Sequence, residues 1–485
     1  MQGWPSARLR WGLLLGGALA WRLLWFVGPQ ASDDLAYSEY AQALATGAYH
    51  PVADIFSTRL GYLASIALGY RLFGAGPFTL ILPNLLFSLA GIVLAYALAR
   101  EFLDERGAWR TALLLAAAPP DVFLATEAHT DLPLAVLFSG SLLLYLRARK
   151  TDAIPGFILS GVVLGIAHLF KESAFFGFAA LTAVGGKLKR NDLFVLAGFG
   201  AVVAAEAVGL GLGTGDPLYR FHSVRAAQAE NIAALESSPG SGLGRAFLGL
   251  FELVHPFSLG FSFLGLLPLL GLAGGVAAFR SRDAALLKVL RWMLVLILLS
   301  VFWPITIVPY RPALWNHARI FMMALLPMAI LTVSLIDRLP GRRALLAGAA
   351  LGAAFLGFTG TLHADARRVT EGARRAFDGP LRSAGGAVAD PRTAALFRLY
   401  DGYRPARQWT DWTQPFRNTP LRVVNETLAR TLKEWYGIVP PPDFEPKDKA
   451  PLYRIAVPGR LRLRPLLRGK IERIAGEEVR IYEAP

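Results

Sequence analysis

Two adjacent carboxylates, Asp33 and Asp34, follow directly on the first apolar run of the chain, where a membrane-spanning segment would emerge into water. A carboxylate so placed can take the proton from an attacking hydroxyl, and cations nearby can stabilise an anionic leaving group. Arg59, Lys171 and Arg319 are of the right type for the second task, because guanidinium binds phosphate oxygens in pairs and ammonium adds a compact charge. Each also has a plainer role: Arg59 as a snorkelling interfacial arginine, Lys171 in an internal pair with Glu172, and Arg319 as an interface anchor. Glu127, His129 and Asp131 form a third cluster that can ligate a divalent cation or meet an acceptor, and on a helix begun at Thr126 the two acids share a face. A solvated loop is the plainer account of His129. Tyr37, Tyr62, Glu172, His255 and His317 are assigned to the surrounding pocket, with Trp303 and Trp315 as further aromatic candidates or as part of an interfacial belt. Arg22, near the end of the first apolar run, is read as snorkelling outward, within reach of a lipid phosphate.

A short helix should present the acid pair. Ser32 suits the N-cap, Asp33 and Asp34 then fill the first turn where the helix dipole favours anions, and Gly47 followed by Pro51 supplies the stop. At helical spacing Asp33, Tyr37, Tyr40, Ala41 and Leu44 share one stripe, while Ser38, Glu39 and Gln42 lie on another. Such a helix would lie on a membrane surface.

The chain around it is too apolar for a soluble enzyme. Its 485 residues are 54% hydrophobic and only 18% charged, which makes it a polytopic membrane protein. The formal charge of +15 does not indicate nucleic acid, since the basic residues fall in short clusters between apolar runs and no RNA or DNA motif accompanies them. With no cysteine there is no disulfide framework and no thiol chemistry. The apolar run from Trp11 to Val27 lacks a following small-residue cleavage motif and is read as an uncleaved first span. Further spans are expected at 78–99, 109–125, 131–147, 155–170, 173–186, 192–212, 257–279, 286–308, 318–336 and 343–360, which gives about eleven crossings. The pair 155–170 and 173–186 is short and expected to be shallow.

Arginines and lysines cluster in alternate loops, around Arg8, Arg106, Arg147, Lys187, Arg280 and Arg338. Those loops are expected to be cytoplasmic, with the carboxyl terminus outside. The opposite loops hold nearly every unusual polar residue of the membrane part, so function is expected on the outer face of a cell membrane. Residues 1–360 would form the membrane domain. Residues 361–485, which contain no spanning segment, would form an external α/β domain of roughly normal size. Within this tail, Gly386–Asp390, Leu452–Val457 and Glu478–Tyr482 read as strands, Arg392–Leu399 and Val424–Trp435 as helices, and Val439–Pro451 as a rigid linker or flap.

Around the acid pair, Tyr37 falls four residues after Asp33, and Thr58-Arg59-Leu60-Gly61-Tyr62 follows. The arrangement resembles the first external loop of GT-C glycosyltransferases that use polyprenyl-phosphate sugars, in particular protein O-mannosyltransferases and aminoarabinose transferases. That family pattern has Asp-Glu where this chain has Asp33-Asp34, and Pro-Pro where it has Leu60-Gly61. The resemblance continues at Glu127-Ala128-His129-Thr130-Asp131, at Gly165-x-x-His168-x-x-Lys171-Glu172 and at His317-Ala318-Arg319 to Pro327. It covers residues 1–335 and fades in the tail. It implies a GT-C fold and inverting transfer of a sugar from a polyprenyl-phosphate donor to a lipid, glycan or protein acceptor, with Asp33 or Asp34 as base and Arg59, Lys171 and Arg319 on the donor phosphate. A transporter or lipid flippase is the competing class. It should carry ionisable residues at mid-membrane and a repeat between halves, whereas Glu206 is the only acid deep in a span.

Overall fold

The computed structural model describes residues 6–236, 247, 250–251, 253–254, 263–306, 311–312, 318–413, 421–436, 439–441, 444–445, 450–457, 460–463, 471–474 and 477–483. The helices are α1 (Ala7–Leu24), α2 (Asp33–Thr46), α3 (Leu60–Phe73), α4 (Pro77–Ala99), α5 (Glu105–Ala117), α6 (Pro119–Leu124), α7 (Asp131–Thr151), α8 (Ile154–Phe170), α9 (Phe176–Gly185), α10 (Leu193–Thr214) and α11 (Tyr219–Glu236). They continue with α12 (Leu267–Arg280), α13 (Ala284–Phe302), α14 (Met322–Asp337), α15 (Gly341–Asp378), α16 (Pro391–Tyr400) and α17 (Glu426–Tyr436). Contacts divide the chain into two compact units. The first comprises Met1–Phe26, His50–Ala64 and Asn84–Leu362, and the second Val27–Tyr49, Ser65–Pro83 and His363–Pro485.

Among the described residues, six helices are long and apolar enough to cross a membrane, and four apolar helices are shorter. The protein is a multi-pass membrane protein. Windows 155–170 and 173–186 are among the shorter ones, as their length suggested, and Leu60–Phe73 is an apolar helix outside the expected spans. The window 109–125 is broken at Ala118, because Pro119 and Pro120 have no amide proton to continue the ladder and instead open α6 at its first turn.

In the first unit α14 is the central helix. Every residue from Met322 to Ser334 is buried, as expected of a helix apolar all round. Trp292 of α13 and Phe138 of α7 pack edge to face beside it, with ring centroids 6.2 Å apart. Helices α8 and α10 cross closely at Gly161 and Gly198, where a Cβ on either residue would collide with the carbonyl oxygen of Val195 or Ile158. Arg22 corrects the snorkelling expectation. It is 0% exposed and turns inward, where it pairs with Asp121 and donates to Ser88 Oγ (2.6 Å) and to the carbonyls of Ala18 (3.0 Å) and Ala116 (3.1 Å). A guanidinium in hydrocarbon needs such partners, and Asp121 supplies the countercharge.

In the second unit the strands β3 (Gly386–Ala389), β4 (Gln408–Asp411), β5 (Leu421–Asn425), β6 (Tyr453–Val457) and β9 (Glu477–Glu483) form one sheet in the order β4-β3-β5-β9-β6. A two-stranded pair of β7 (Arg460–Leu463) with β8 (Ile471–Ile474) completes the strands of this unit, and the pair β1 (Pro304–Thr306) with β2 (Arg311–Pro312) belongs to the first unit. β3 is parallel to β4 and β5, and β9 is antiparallel to β5 and β6. The expected strands and helices of the tail are found. β4, β5, β7 and β8 are additional, and Val424, expected to begin a helix, lies in a strand. Phe444 lies inside the segment read as a linker, yet it is buried against Trp412, and its carbonyl accepts from Arg422 at 3.2 Å. The sheet does not pack alone: α16 lies on α2 within the same unit.

Candidate functional site

The acid pair opens α2 as expected, in the first turn after Ser32, and Gly47 closes the helix at φ +79°. Ser32 holds the N-cap position but its side chain makes no cap bond. The two acids differ sharply. Asp34 is fully buried and its Oδ2 accepts from the amide of Gln30 at 3.0 Å, whereas Asp33 is half-exposed. Asp34 thus fastens the preceding loop to the helix, and Asp33 is the acid with access to solvent. The buried face of α2 is Asp34, Leu35, Tyr37, Ser38 and Ala41. It therefore includes Ser38, which the apolar stripe did not.

The cations belong to the first unit, where they gather. Arg59 precedes α3 and places Nη2 at 3.2 Å from Glu172 Oε2, with its guanidinium 5.9 Å from the Phe56 ring centre. Lys171 and Glu172 do not pair with each other. Lys171 has extended backbone (φ −158°, ψ 139°), so the neighbouring side chains diverge, and Lys171 Nζ goes to Asp131 Oδ1 at 2.5 Å. Arg319 approaches the other oxygen of Asp131 at 3.8 Å. Lys171 lies within the electrostatic reach of both Arg59 and Arg319. Three cations drawn from segments far apart in sequence therefore form one cluster.

The segment Thr126–Asp131 is buried, which corrects the solvated reading of His129. Asn84 of α4 holds it: its side-chain amide donates to the carbonyls of Leu124 (3.0 Å) and His129 (2.8 Å), and the Tyr62 hydroxyl donates to its oxygen at 2.9 Å. Tyr62 is accordingly buried behind the segment with its ring against Phe170, 5.9 Å between centroids. Arg319 Nη1 lies 2.9 Å from His129 Nδ1, and Nε2 of the same ring lies 3.2 Å from Glu127 Oε2. Because an arginine can only donate, this arrangement puts the ring proton on Nε2, facing Glu127. The cluster does not fit a metal. The oxygens of Asp131 face Lys171 and Arg319, and His129 offers Arg319 its acceptor nitrogen. Among the described residues no group of three or more histidines and acids could hold an ion.

Arg220, which the sequence did not single out, completes the network together with Glu206 and His168. Arg220 of α11 is buried, with Nη2 at 3.1 Å from Glu172 Oε1 and Nη1 at 2.5 Å from Glu206 Oε1. His168 Nε2 stands 3.7 Å from Glu206. A lone acid in an apolar helix demands a partner, so Glu206 was the available signal, but nothing in the sequence said that Arg220 would be that partner. Arg59, Lys171, Arg220 and Arg319 are thus held by Asp131, Glu172 and Glu206, while Glu127 faces the His129 ring. The carboxylates hold the cations in position, and the openings to solvent are at Glu172 (22% exposed), Lys171 (18%) and Arg319 (27%). Phosphate arriving at these openings would meet guanidinium and ammonium groups already oriented. Tyr37 is buried within the second unit, Trp303 packs between Phe175 and Phe176, and His255, His317 and Trp315 lie outside the described residues.

Residues 60–206 match the family model described as dolichyl-phosphate-mannose-protein mannosyltransferase. Among solved structures, the chain resembles ArnT from Cupriavidus metallidurans in the apo state, with a TM-score of 0.53, 18% identity and 98% of each chain covered. The same protein bound to undecaprenyl phosphate gives 0.54 at 17% identity, again over 98% of each chain. The Archaeoglobus fulgidus oligosaccharyltransferase in complex with Zn and sulfate gives 0.51 at 14% identity, over 85% of this chain and 68% of that one. No curated protein sequence matches the chain. At these identities the likeness is one of fold: the chain has the GT-C fold of membrane glycosyltransferases, with a small C-terminal sheet region.

Proposed function

We propose that the protein transfers a sugar, with inversion, from a polyprenyl-phosphate donor to a hydroxyl of a lipid, glycan or protein acceptor. The observation that carries this reading is the convergence of Arg59, Lys171 and Arg319 in one buried, carboxylate-held cluster that opens to solvent. In the proposed step the acceptor oxygen attacks the anomeric carbon while its proton passes to the Asp33 carboxylate. The bond from that carbon to the phosphate oxygen breaks, and the electron pair leaves with the lipid phosphate. The cations stabilise the charge that develops on the leaving oxygen, which is the largest contribution a preorganised site can make. Asp33 takes the base role because it is the accessible acid, and Asp34 fixes the loop before it.

The binding of undecaprenyl phosphate by the ArnT of Cupriavidus metallidurans supports a polyprenyl carrier. The distribution of basic loops supports a cytoplasmic amino terminus, a site on the outer face of the cell membrane and an external tail beginning near residue 361. No step is routed through a metal, since Asp131 and His129 are already committed to cations. The test is a panel of undecaprenyl-phosphate sugars offered to the reconstituted protein with envelope lipids, glycans or peptides, reading release of free undecaprenyl phosphate. Release from one donor that depends on an acceptor is the expected result. No release from any donor, combined with no binding of undecaprenyl phosphate, would overturn the reading.

A further inference from the structure

The C-terminal turn of α16 grips the helix that carries the acid pair. Ser38 lies one turn beyond Asp34 on the same face of α2 and is completely buried. Its Oγ is shared by two phenols, the Tyr70 hydroxyl of α3 at 2.8 Å and the Tyr403 hydroxyl of the tail at 2.7 Å. The next residue, Glu39, places Oε1 at 2.6 Å from Arg398 Nη2, and Arg398 is steadied by its own bond to the Trp409 carbonyl at 3.1 Å. Two consecutive residues of α2 are therefore held by two residues from one turn of the tail.

The backbone of that turn is built for the purpose. The Tyr403 amide donates to the Arg398 carbonyl (2.8 Å) and the Gly402 amide to the Leu399 carbonyl (3.1 Å), a Schellman closure that accounts for Gly402 at φ +68°. It does not account for Tyr403, which is also left-handed at φ +57°. A bulky side chain in that region costs on the order of 1 kcal/mol or more, and such outliers persist where surrounding structure holds them for a reason. Here the turn aims the phenol at Ser38. Gly402 in turn passes so close to the loop before α4 that a Cβ would stand 3.0 Å from the Ala75 carbonyl oxygen. Burial pushes the Tyr403 phenol above its ordinary pKa, so it stays neutral and keeps a proton to share.

We propose that Tyr403 and Arg398 are positioning residues for the acid pair, fixing the rotation of α2 about its axis and hence the direction of Asp33. The proposal rests on the reading of Asp33 as the base. A carboxylate about 6 Å from a helix axis moves about 1 Å for a rotation of about 10°, and a misplacement of about 1 Å can cost on the order of 10²-fold in rate. The tail is then part of the catalytic apparatus and not merely a cover.

The test uses the full chain in nanodiscs and the donor that wild type accepts. Tyr403→Phe removes one hydroxyl. It should lower kcat by about 10-fold or more while the donor KM stays within about twofold, and amide exchange over residues 33–46 should quicken. Ser38→Ala, which also loses the Tyr70 bond, should be at least as slow, and the double variant no slower than Ser38→Ala alone, because the Tyr403 hydroxyl acts through Ser38. Wild-type kcat in Tyr403→Phe, or a loss confined to KM and thermal stability, would overturn the proposal. Asp33→Asn in the same assay separates the two claims. Full activity there removes the reading beneath the proposal, whereas a slow Asp33→Asn beside a normal Tyr403→Phe removes the positioning role alone.

Discussion

Replacing Glu172 by glutamine should weaken the protein and sharpen its response to lipid phosphate at the same time. The carboxylate accepts from Arg59 at 3.2 Å and from Arg220 at 3.1 Å, and so stands between the two guanidinium groups. Each charge-assisted bond contributes about 1.5 to 3 kcal/mol, and two unit charges about 4 Å apart interact by about 4 kcal/mol at an effective dielectric near 20. Arg220 keeps Glu206, and an amide oxygen still accepts one bond, so the net loss should be about 3 kcal/mol, near the cost of breaking a buried pair. That corresponds to a fall in Tm on the order of 5 °C. Undecaprenyl phosphate brings back negative charge where the carboxylate supplied it, so it should raise the Tm of Glu172→Gln by more than that of wild type. The assay is thermal unfolding in detergent with and without undecaprenyl phosphate. An unchanged Tm in the variant would refute the structural reasoning. A lipid-induced shift no larger than in wild type would refute a phosphate role for Arg59.

Arg22→Met should destabilise the first unit by about 3 to 5 kcal/mol, because it leaves the Asp121 carboxylate buried without its countercharge, and adding Asp121→Asn should restore much of that loss in thermal unfolding. Lys171→Met should weaken binding of undecaprenyl phosphate by about 10-fold or more in a titration of the purified protein, and wild-type affinity would remove Lys171 from the phosphate site. In the tail, burial raises the Asp390 carboxyl to about 6. The unfolded chain titrates near 3.9, so the stability Asp390 contributes is fully present below about pH 4 and is lost as pH rises through about 6. Asn can cap α16 without a charge. The Tm difference between Asp390→Asn and wild type should therefore be more positive at pH 7.5 than at pH 4.5, by about 2 kcal/mol in stability, and a difference independent of pH would contradict it.

The sequence made legible what depends on local pattern. The acid pair in a first turn, the Gly47 stop, the apolar windows and three of the tail strands all follow from spacing, propensity and helix-end chemistry. Pairing partners were another matter. Lys171 beside Glu172 looked like a local ion pair, but an extended backbone turns neighbours to opposite sides, and Asp131 from another helix takes the lysine. His129 looked solvated because its neighbours are polar, and it is buried because Asn84, an unremarkable residue of an apolar helix, reaches the backbone there. Arg22 looked like a snorkelling arginine because its countercharge, Asp121, is 99 residues away. Ser38 and Tyr403 carried no signal at all, since a single hydrogen bond across 365 residues leaves no periodicity to read.

The central claim is that the Asp33 carboxylate and the Arg59, Lys171 and Arg319 cluster serve one transfer reaction. Its most direct measurement is the single-turnover rate of sugar transfer by Asp33→Asn, with binding of undecaprenyl phosphate and thermal stability measured on the same preparation. Loss of transfer by about 10²-fold or more, at wild-type lipid affinity and wild-type stability, is the predicted result. Transfer at the wild-type rate would contradict it.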